Sequence, residues 1–281
     1  MKVLLSKKMI AGAAAALSLF ATAGAQAAEL FPDFKVNAPG QATPFTADKI
    51  TGNYTEVATF NEQNGTFTVS LLWIAGQFVS DDGSAPYTSS ESGLGSDYGL
   101  YATYKASGTF FRDGVETIFQ FTPGTGSFKL FLDQNNDSTS INRVKQFTNP
   151  TSGTGDFGFV ANQVDDDIVL ANGKALAGEG NLDPTLGTCK SGTGPINCGS
   201  FGSTTSFNLT AAGMNFFIDP RPFYNLSFQA GQLNNFSPTG TQTINGSLDV
   251  VFGVPEPTSL GLLGLGLLGL GAAANRRKQA K

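Results

Sequence analysis

Apolar residues follow two different rhythms along this chain. Through the middle they alternate with polar ones. Phe67, Val69, Leu71 and Trp73 alternate with Thr66, Thr68, Ser70 and Leu72, and Leu100, Ala102 and Tyr104 with Tyr101, Thr103 and Lys105. Thr117, Phe119 and Phe121 stand opposite Ile118 and Gln120, and Phe128, Leu130 and Leu132 opposite Lys129 and Phe131. Successive side chains on a strand point to opposite faces, so a period of two in β-branched and aromatic residues predicts strands. The stretches 206–209, 215–218, 226–230 and 247–252 continue the pattern. Asn64-Gly65 and Asp113-Gly114 predict hairpin turns, because such turns need a residue that tolerates positive φ. Asp82-Gly83, Pro123-Gly124, Asn172-Gly173 and Asn245-Gly246 punctuate the remainder. Polar loops are expected at 81–96, 138–155 and 178–205, and no body segment sustains a helical period. The fold class expected is all-β, a single β-sandwich-like domain with long polar loops over residues 28–253. Trp73 is in phase with Phe67, Val69 and Leu71 and is expected in its core.

At both ends the rhythm changes to unbroken apolar blocks. Lys2, Lys7 and Lys8 precede the apolar stretch 9–20, and Ala25-Gln26-Ala27 follows. A basic start, a short apolar stretch and small residues at a cleavage site predict a signal peptide over residues 1–27. At the other end Leu260–Ala274 carries no charge. As a helix this stretch spans about 22 Å against a hydrocarbon core of ~30 Å, so flanking residues are needed to complete a transmembrane helix over 259–275. Arg276, Arg277 and Lys278 follow and act as a cytoplasmic stop-transfer cluster within the basic tail 276–281. Basic residues stay inside, so both ends place the body outside the cell.

Pro255, Glu256 and Pro257 stand before this apolar block. The order Pro-Glu-Pro, apolar helix, basic cluster over residues 254–281 resembles the PEP-CTERM sorting signal of Gram-negative bacteria. The resemblance implies that an exosortase, a membrane-embedded transpeptidase, cuts near Pro255–Pro257 after transient anchoring in the inner membrane. The prolines hold the peptide extended and free of sheet pairing, as a protease cleft above the membrane requires.

Setting both ends aside changes the charge. The precursor has 17 Lys+Arg and 22 Asp+Glu, a net −5, whereas residues 28–253 keep 10 and 21, a net −11. A polyanionic body repels nucleic acid and anionic lipid. Histidine is absent. That removes Ser-His and Cys-His nucleophiles, histidine general bases and histidine metal sites. Hydrolysis by a carboxylate pair survives the exclusion, since it needs only two Asp or Glu. The two cysteines, Cys189 and Cys198, are predicted to form a disulfide in an exported protein. Closing so short a loop contributes about 2–3 kcal/mol.

No residue is singled out as catalytic, and no cofactor is required. The one ligand-like spacing is Asp133, Asn135 and Asp137, whose alternate oxygens would suit Ca²⁺ on a tight loop. It departs from an EF-hand, with Ser138 in place of glycine and Val144 in place of the bidentate glutamate. A polar turn after Phe128–Leu132 is the preferred reading of these residues, and a solvated turn that of Asp165-Asp166-Asp167. The segment Phe45–Val57, with GTFTVSLLWIAGQFVSDDG, YGLYATYKASGTF and FKLFLD, is similar to the flocculation-associated PEP-CTERM proteins of activated-sludge bacteria. That resemblance implies a secreted, non-enzymatic matrix protein at the cell surface, helping cells aggregate with exopolysaccharide. The alternative is a secreted carbohydrate-binding module or a carboxylate-pair glycoside hydrolase.

Overall fold

The computed structural model describes residues 31–141, 144–189 and 197–253. The expected signal peptide and sorting tail, including the helix over 259–275, lie outside the described residues. Among those described, no helix is long and apolar enough to cross a membrane.

The strands in the first half are β1 (Phe34–Val36), β2 (Phe45–Ala47), β3 (Lys49–Asn61), β4 (Thr66–Ser80), β5 (Ala85–Pro86), β6 (Gly99–Asp113), β7 (Glu116–Phe121) and β8 (Ser127–Asp133). Four two-residue strands follow, β9 (Ser140–Ile141), β10 (Val144–Lys145), β11 (Phe147–Thr148) and β12 (Gly158–Phe159). Then come β13 (Ile168–Gly173), β14 (Ala175–Leu182), β15 (Gly199–Thr205), β16 (Asn208–Leu209), β17 (Phe217–Asp219), β18 (Asn225–Gln232), β19 (Gly240–Ser247) and β20 (Asp249–Gly253). Two short helices, α1 (Ser89–Ser92) and α2 (Ala211–Phe216), interrupt them.

The expected sandwich of two sheets is replaced by one sheet closed on itself. Antiparallel neighbours run β6-β7-β14-β15-β18-β20-β3-β4 and return to β6, a ring of eight strands. Closure is possible because β6 is long enough to serve several neighbours. Its residues 101–109 pair with β4, its second half with β7, and its first half with β8. A branch of β8, β13 and β16 leaves the ring there. β3 divides in the same way, pairing β20 at its start and β19 along the rest. A closed sheet leaves no long edge within the ring to recruit another chain.

The interior is filled by setting large side chains opposite small ones. Trp73 pairs with Ala102, Val69 with Ala106 and Phe67 with Gly108. A Cβ on Gly108 would lie 2.6 Å from the Phe67 ring, and one on Gly52 would lie 2.4 Å from Trp73 Nε1, so both positions require glycine. Trp73 is 1% exposed, and its indole N–H donates to the Leu248 carbonyl at 2.8 Å. Each fully buried Phe or Leu in such a core contributes about 1.5–3 kcal/mol. One end of the barrel is filled by Phe34, Phe78, Phe217 and Phe252, where the small sheet of β1, β2 and β17 packs on β20. The other end is filled by Phe60, Phe67, Phe119 and Phe236.

Several sequence expectations change. Leu72, Tyr101 and Phe131, the apolar members of the rows facing away from the interior, form a second apolar cluster with Phe157 outside the barrel. The expected polar loop 138–155 runs into β11 and β12, and it lies on that outer face. Gly153 N–H donates to Thr59 Oγ1 at 2.9 Å, and Lys105 bonds the Thr154 carbonyl at 3.0 Å. The expected loop 178–205 begins and ends as strands, since β14 and β15 pair from Ala175↔Thr205 to Leu182↔Gly199. Asn215 and Phe216 belong to α2, whose Thr210 cap accepts from Gly213 N–H at 3.0 Å. In the two expected hairpin turns only the glycines, Gly65 at φ 63° and Gly114 at φ 64°, take positive φ.

Candidate functional site

The acidic loop after β8 is built on its first carboxylate. Asp133 is 0% exposed. Its Oδ1 accepts the Asp137 N–H at 3.0 Å and its Oδ2 the Ser138 N–H at 2.9 Å. Asn136 takes φ 55°, a conformation asparagine tolerates. The fold then brings the second acidic stretch alongside. Asn135 N–H donates to Asp166 Oδ2 at 3.1 Å, while Ser138 Oγ and the Tyr101 hydroxyl donate to Asp167 at 2.9 and 2.5 Å. Two clusters that are separate in sequence thus form one. Burial first, then the charges of Asp133 and Asp166, raise the Asp137 carboxyl above its usual range. Burial likewise raises Asp167, partly offset by its hydrogen bonds from Tyr101 and Ser138. Among the described residues no three His, Cys, Asp or Glu side chains are grouped so as to hold a metal ion. Asp133 commits both oxygens to backbone amides, so the turn closes on its own carboxylate.

Cys189 and Cys198 are disulfide-bonded, with Cα atoms 4.4 Å apart. Cys198 is buried at the start of β15, and its N–H donates to the Leu233 carbonyl at 2.8 Å. The staple joins two points of the β14–β15 connection, and the Cys198 amide links that connection to the residue after β18.

The broadest concave surface lies on the outside of the barrel. Outward side chains of β7, β14, β15 and β18 line an open trough of about 960 Å³. Gln120 stands beside Glu179, Asn181 beside Ser200, and Thr204 beside Ser227 in cross-strand register. The Asn181 amide donates to Glu116 Oε2 at 2.8 Å. Gly202 and Ala177 keep the floor low between the polar rows. Glu179 is the one charged residue of the lining. Phe111, 49% exposed, flanks the trough, next to Ile118 across β6 and β7. A surface that mixes amides and hydroxyls with apolar groups such as Ile118 and Pro123 suits a ligand with both hydroxyl groups and apolar faces, and its lack of cations offers nothing to a polyanion. Sequence reading missed this surface because its two middle strands, β14 and β15, are glycine-rich and read as loop, so β7 and β18 were not seen to be joined.

Sequence reading also missed Glu56. On β3 the inward positions are Ile50, Tyr54, Ala58 and Phe60, and Glu56 falls in phase with them. It is 6% exposed, and burial pushes its carboxyl up to about 8. With Gly52 and Ala58 also in the row, β3 shows no clear apolar rhythm for Glu56 to break, so no usable signal was present in the sequence.

The described chain is thus an antiparallel barrel of eight strands with a polar outer trough and a carboxyl inside. The model of the PEP-CTERM protein-sorting motif matches residues 253–278. The chain carries that motif, which implies processing by exosortase and export through the inner membrane of a Gram-negative bacterium. The match covers Pro255, Glu256, Pro257 and the cluster Arg276, Arg277 and Lys278, all outside the described residues. No curated protein matches the chain. No solved structure matches it either.

Proposed function

We propose that this is a non-catalytic cell-surface or matrix protein that holds cells together through exopolysaccharide. The observation carrying the proposal is the outer trough, whose amides and hydroxyls face solvent on four rigid strands. Each sugar hydroxyl both donates and accepts, and Gln120, Asn181, Ser200, Thr204 and Gln229 offer partners of both kinds. Phe111 adds an exposed ring against which the apolar face of a sugar can pack. Individual contacts are weak, so adhesion rests on many copies meeting a repeating polymer. Glycoside hydrolysis draws no support, because it needs two flanking carboxyls. The trough lining supplies only Glu179, and the inner pocket only Glu56.

The test has a genetic and a biochemical arm. Deleting the gene should disperse the cells while polysaccharide is still made, and intact flocs would refute the proposal. Replacing both Gln120 and Gln229 with alanine removes two polar contacts and should lower retention on purified exopolysaccharide about tenfold. Unchanged retention would move the binding surface elsewhere on the molecule.

A further inference from the structure

Glu56 lies inside the barrel with no counter-charge. Among the described residues its carboxyl has no hydrogen-bond or ion-pair partner. The two tyrosines that feel its charge are engaged elsewhere. The Tyr54 hydroxyl donates to the Gln232 carbonyl at 2.5 Å, and the Tyr104 hydroxyl pairs with Ser203 Oγ at 2.9 Å. The carboxyl faces a cavity of about 30 Å³, room for a water or two. Around it stand Phe60, Phe67, Phe119, Phe121, Phe201 and Phe236. A carboxyl left unpaired in such surroundings is costly, and its natural complement is a cation. Phenylalanine faces attract cations and repel anions, so the walls favour the same ligand charge.

One ring of the pocket wall also faces the outside. Phe236 stacks on Phe60 at 5.8 Å and on Phe119 at 6.1 Å, with interplanar angles of 23° and 28°. It belongs to the connector between β18 and β19, not to a strand. It also lines an outer groove of about 360 Å³, together with Val115, Pro184, Pro238 and the cation Arg112, so an amine must enter in its neutral form or past that charge. Phe236 thus stands between the pocket beside Glu56 and the outer groove, lining both, and its outward rotation would widen the passage between them.

We propose that this end of the barrel binds a small apolar amine. The ammonium group sits against Glu56, and the hydrocarbon part takes the place of the Phe236 ring between Phe60 and Phe119. The connector 233–239 opens to admit it. This site is on the inside of the barrel and does not depend on the polysaccharide reading of the outer trough. Because burial keeps Glu56 protonated near neutral pH, binding of an ammonium ion releases the carboxyl proton to the buffer.

Titration calorimetry of the full-length protein with benzylamine tests this, with benzyl alcohol and benzoate as neutral and anionic counterparts of the same shape. Benzylamine should bind saturably, with a heat that changes with the ionisation enthalpy of the buffer. Benzyl alcohol should bind more weakly, and benzoate not at all. Glu56→Gln keeps the shape of the side chain and should weaken benzylamine at least about tenfold, abolishing the buffer dependence. Phe236→Ala removes the plug and should speed association. No saturable benzylamine binding to either the wild type or Phe236→Ala would overturn the proposal. So would equal binding to Glu56→Gln, or benzoate binding as tightly as benzylamine.

Discussion

Replacing Glu56 with glutamine should change how stability depends on pH, and the sign can be worked out from its surroundings. In the unfolded chain this carboxyl titrates near 4.5, and in the folded barrel burial raises it to about 8. Below the unfolded value it is neutral in both states and has no effect. Between the two values the unfolded chain loses the proton while the folded protein keeps it, so stability falls as pH rises. The slope is about 1.4 kcal/mol per pH unit, and across the window the loss reaches about 5 kcal/mol. Above the folded value the loss is complete. Glutamine does not titrate, so the variant should gain on the wild type steadily through this range and be the more stable protein at its alkaline end. Tyr54 and Tyr104 face the carboxyl, but burial raises both hydroxyls further, and they stay neutral throughout. Asp48, Asp137 and Asp167 are also raised by burial. They add slope of the same sign to both proteins and cancel in the difference. Urea unfolding followed by Trp73 fluorescence from about pH 5 to about pH 8 measures the gap. A gap that stays constant across this range would refute the reasoning, since the carboxyl would then titrate alike in both states.

Two further substitutions probe the frame around the candidate sites. Gly52→Ala places a methyl 2.4 Å from Trp73 Nε1 and 2.5 Å from the Ile74 carbonyl, so the indole must leave its bond to Leu248. A loss of about 3 kcal/mol is expected, read as a lower urea midpoint with a red-shifted Trp73 emission. Asp133→Ala strips the acceptor from two backbone amides and should cost about 2–4 kcal/mol. Excess calcium should leave the melting temperature of the wild type unchanged, because the turn is closed by its own hydrogen bonds.

How much of this was legible in the sequence depended on what each strand packs against. β4 and β8 could be read directly, because one face of each meets the barrel interior with large apolar residues at every second position. β3 could not. Its inward positions include Gly52, Glu56 and Ala58, which present no apolar alternation. β14 and β15 were harder still, since ALAGEGNL and GSFGSTT look like loop. The glycines there admit neighbouring rings. A Cβ on Gly180 would lie 2.9 Å from Phe201, and one on Gly231 of β18 would lie 2.4 Å from the same side chain. In a closed barrel the residue opposite a large side chain must be small, so half of the strand evidence is carried by residues with little strand propensity. The same blindness turned a ring into an expected sandwich, because with β3, β14 and β15 unread nothing marks the sheet as continuous.

The positions where the alternation fails divide into two kinds, and packing tells them apart. Gly52 and Gly108 fail because a large neighbour, Trp73 or Phe67, already fills their space, so each break is compensated across the strand. Glu56 fails without compensation. Its cross-strand partners are Leu71 and Ile244, neither of which can answer a carboxyl. A leucine in its place would satisfy every packing demand made at that position, and would remove the burden of desolvating an acid. Stability alone therefore gives no reason for a carboxyl there, and an uncompensated break of this kind is where a function is expected to lie. The same reasoning separates Glu56 from Asp133. Asp133 has its buried oxygens fully engaged by the turn it builds, so structure accounts for it. Glu56 builds no turn and closes no strand end, which is why the inner pocket is the place to look for a ligand.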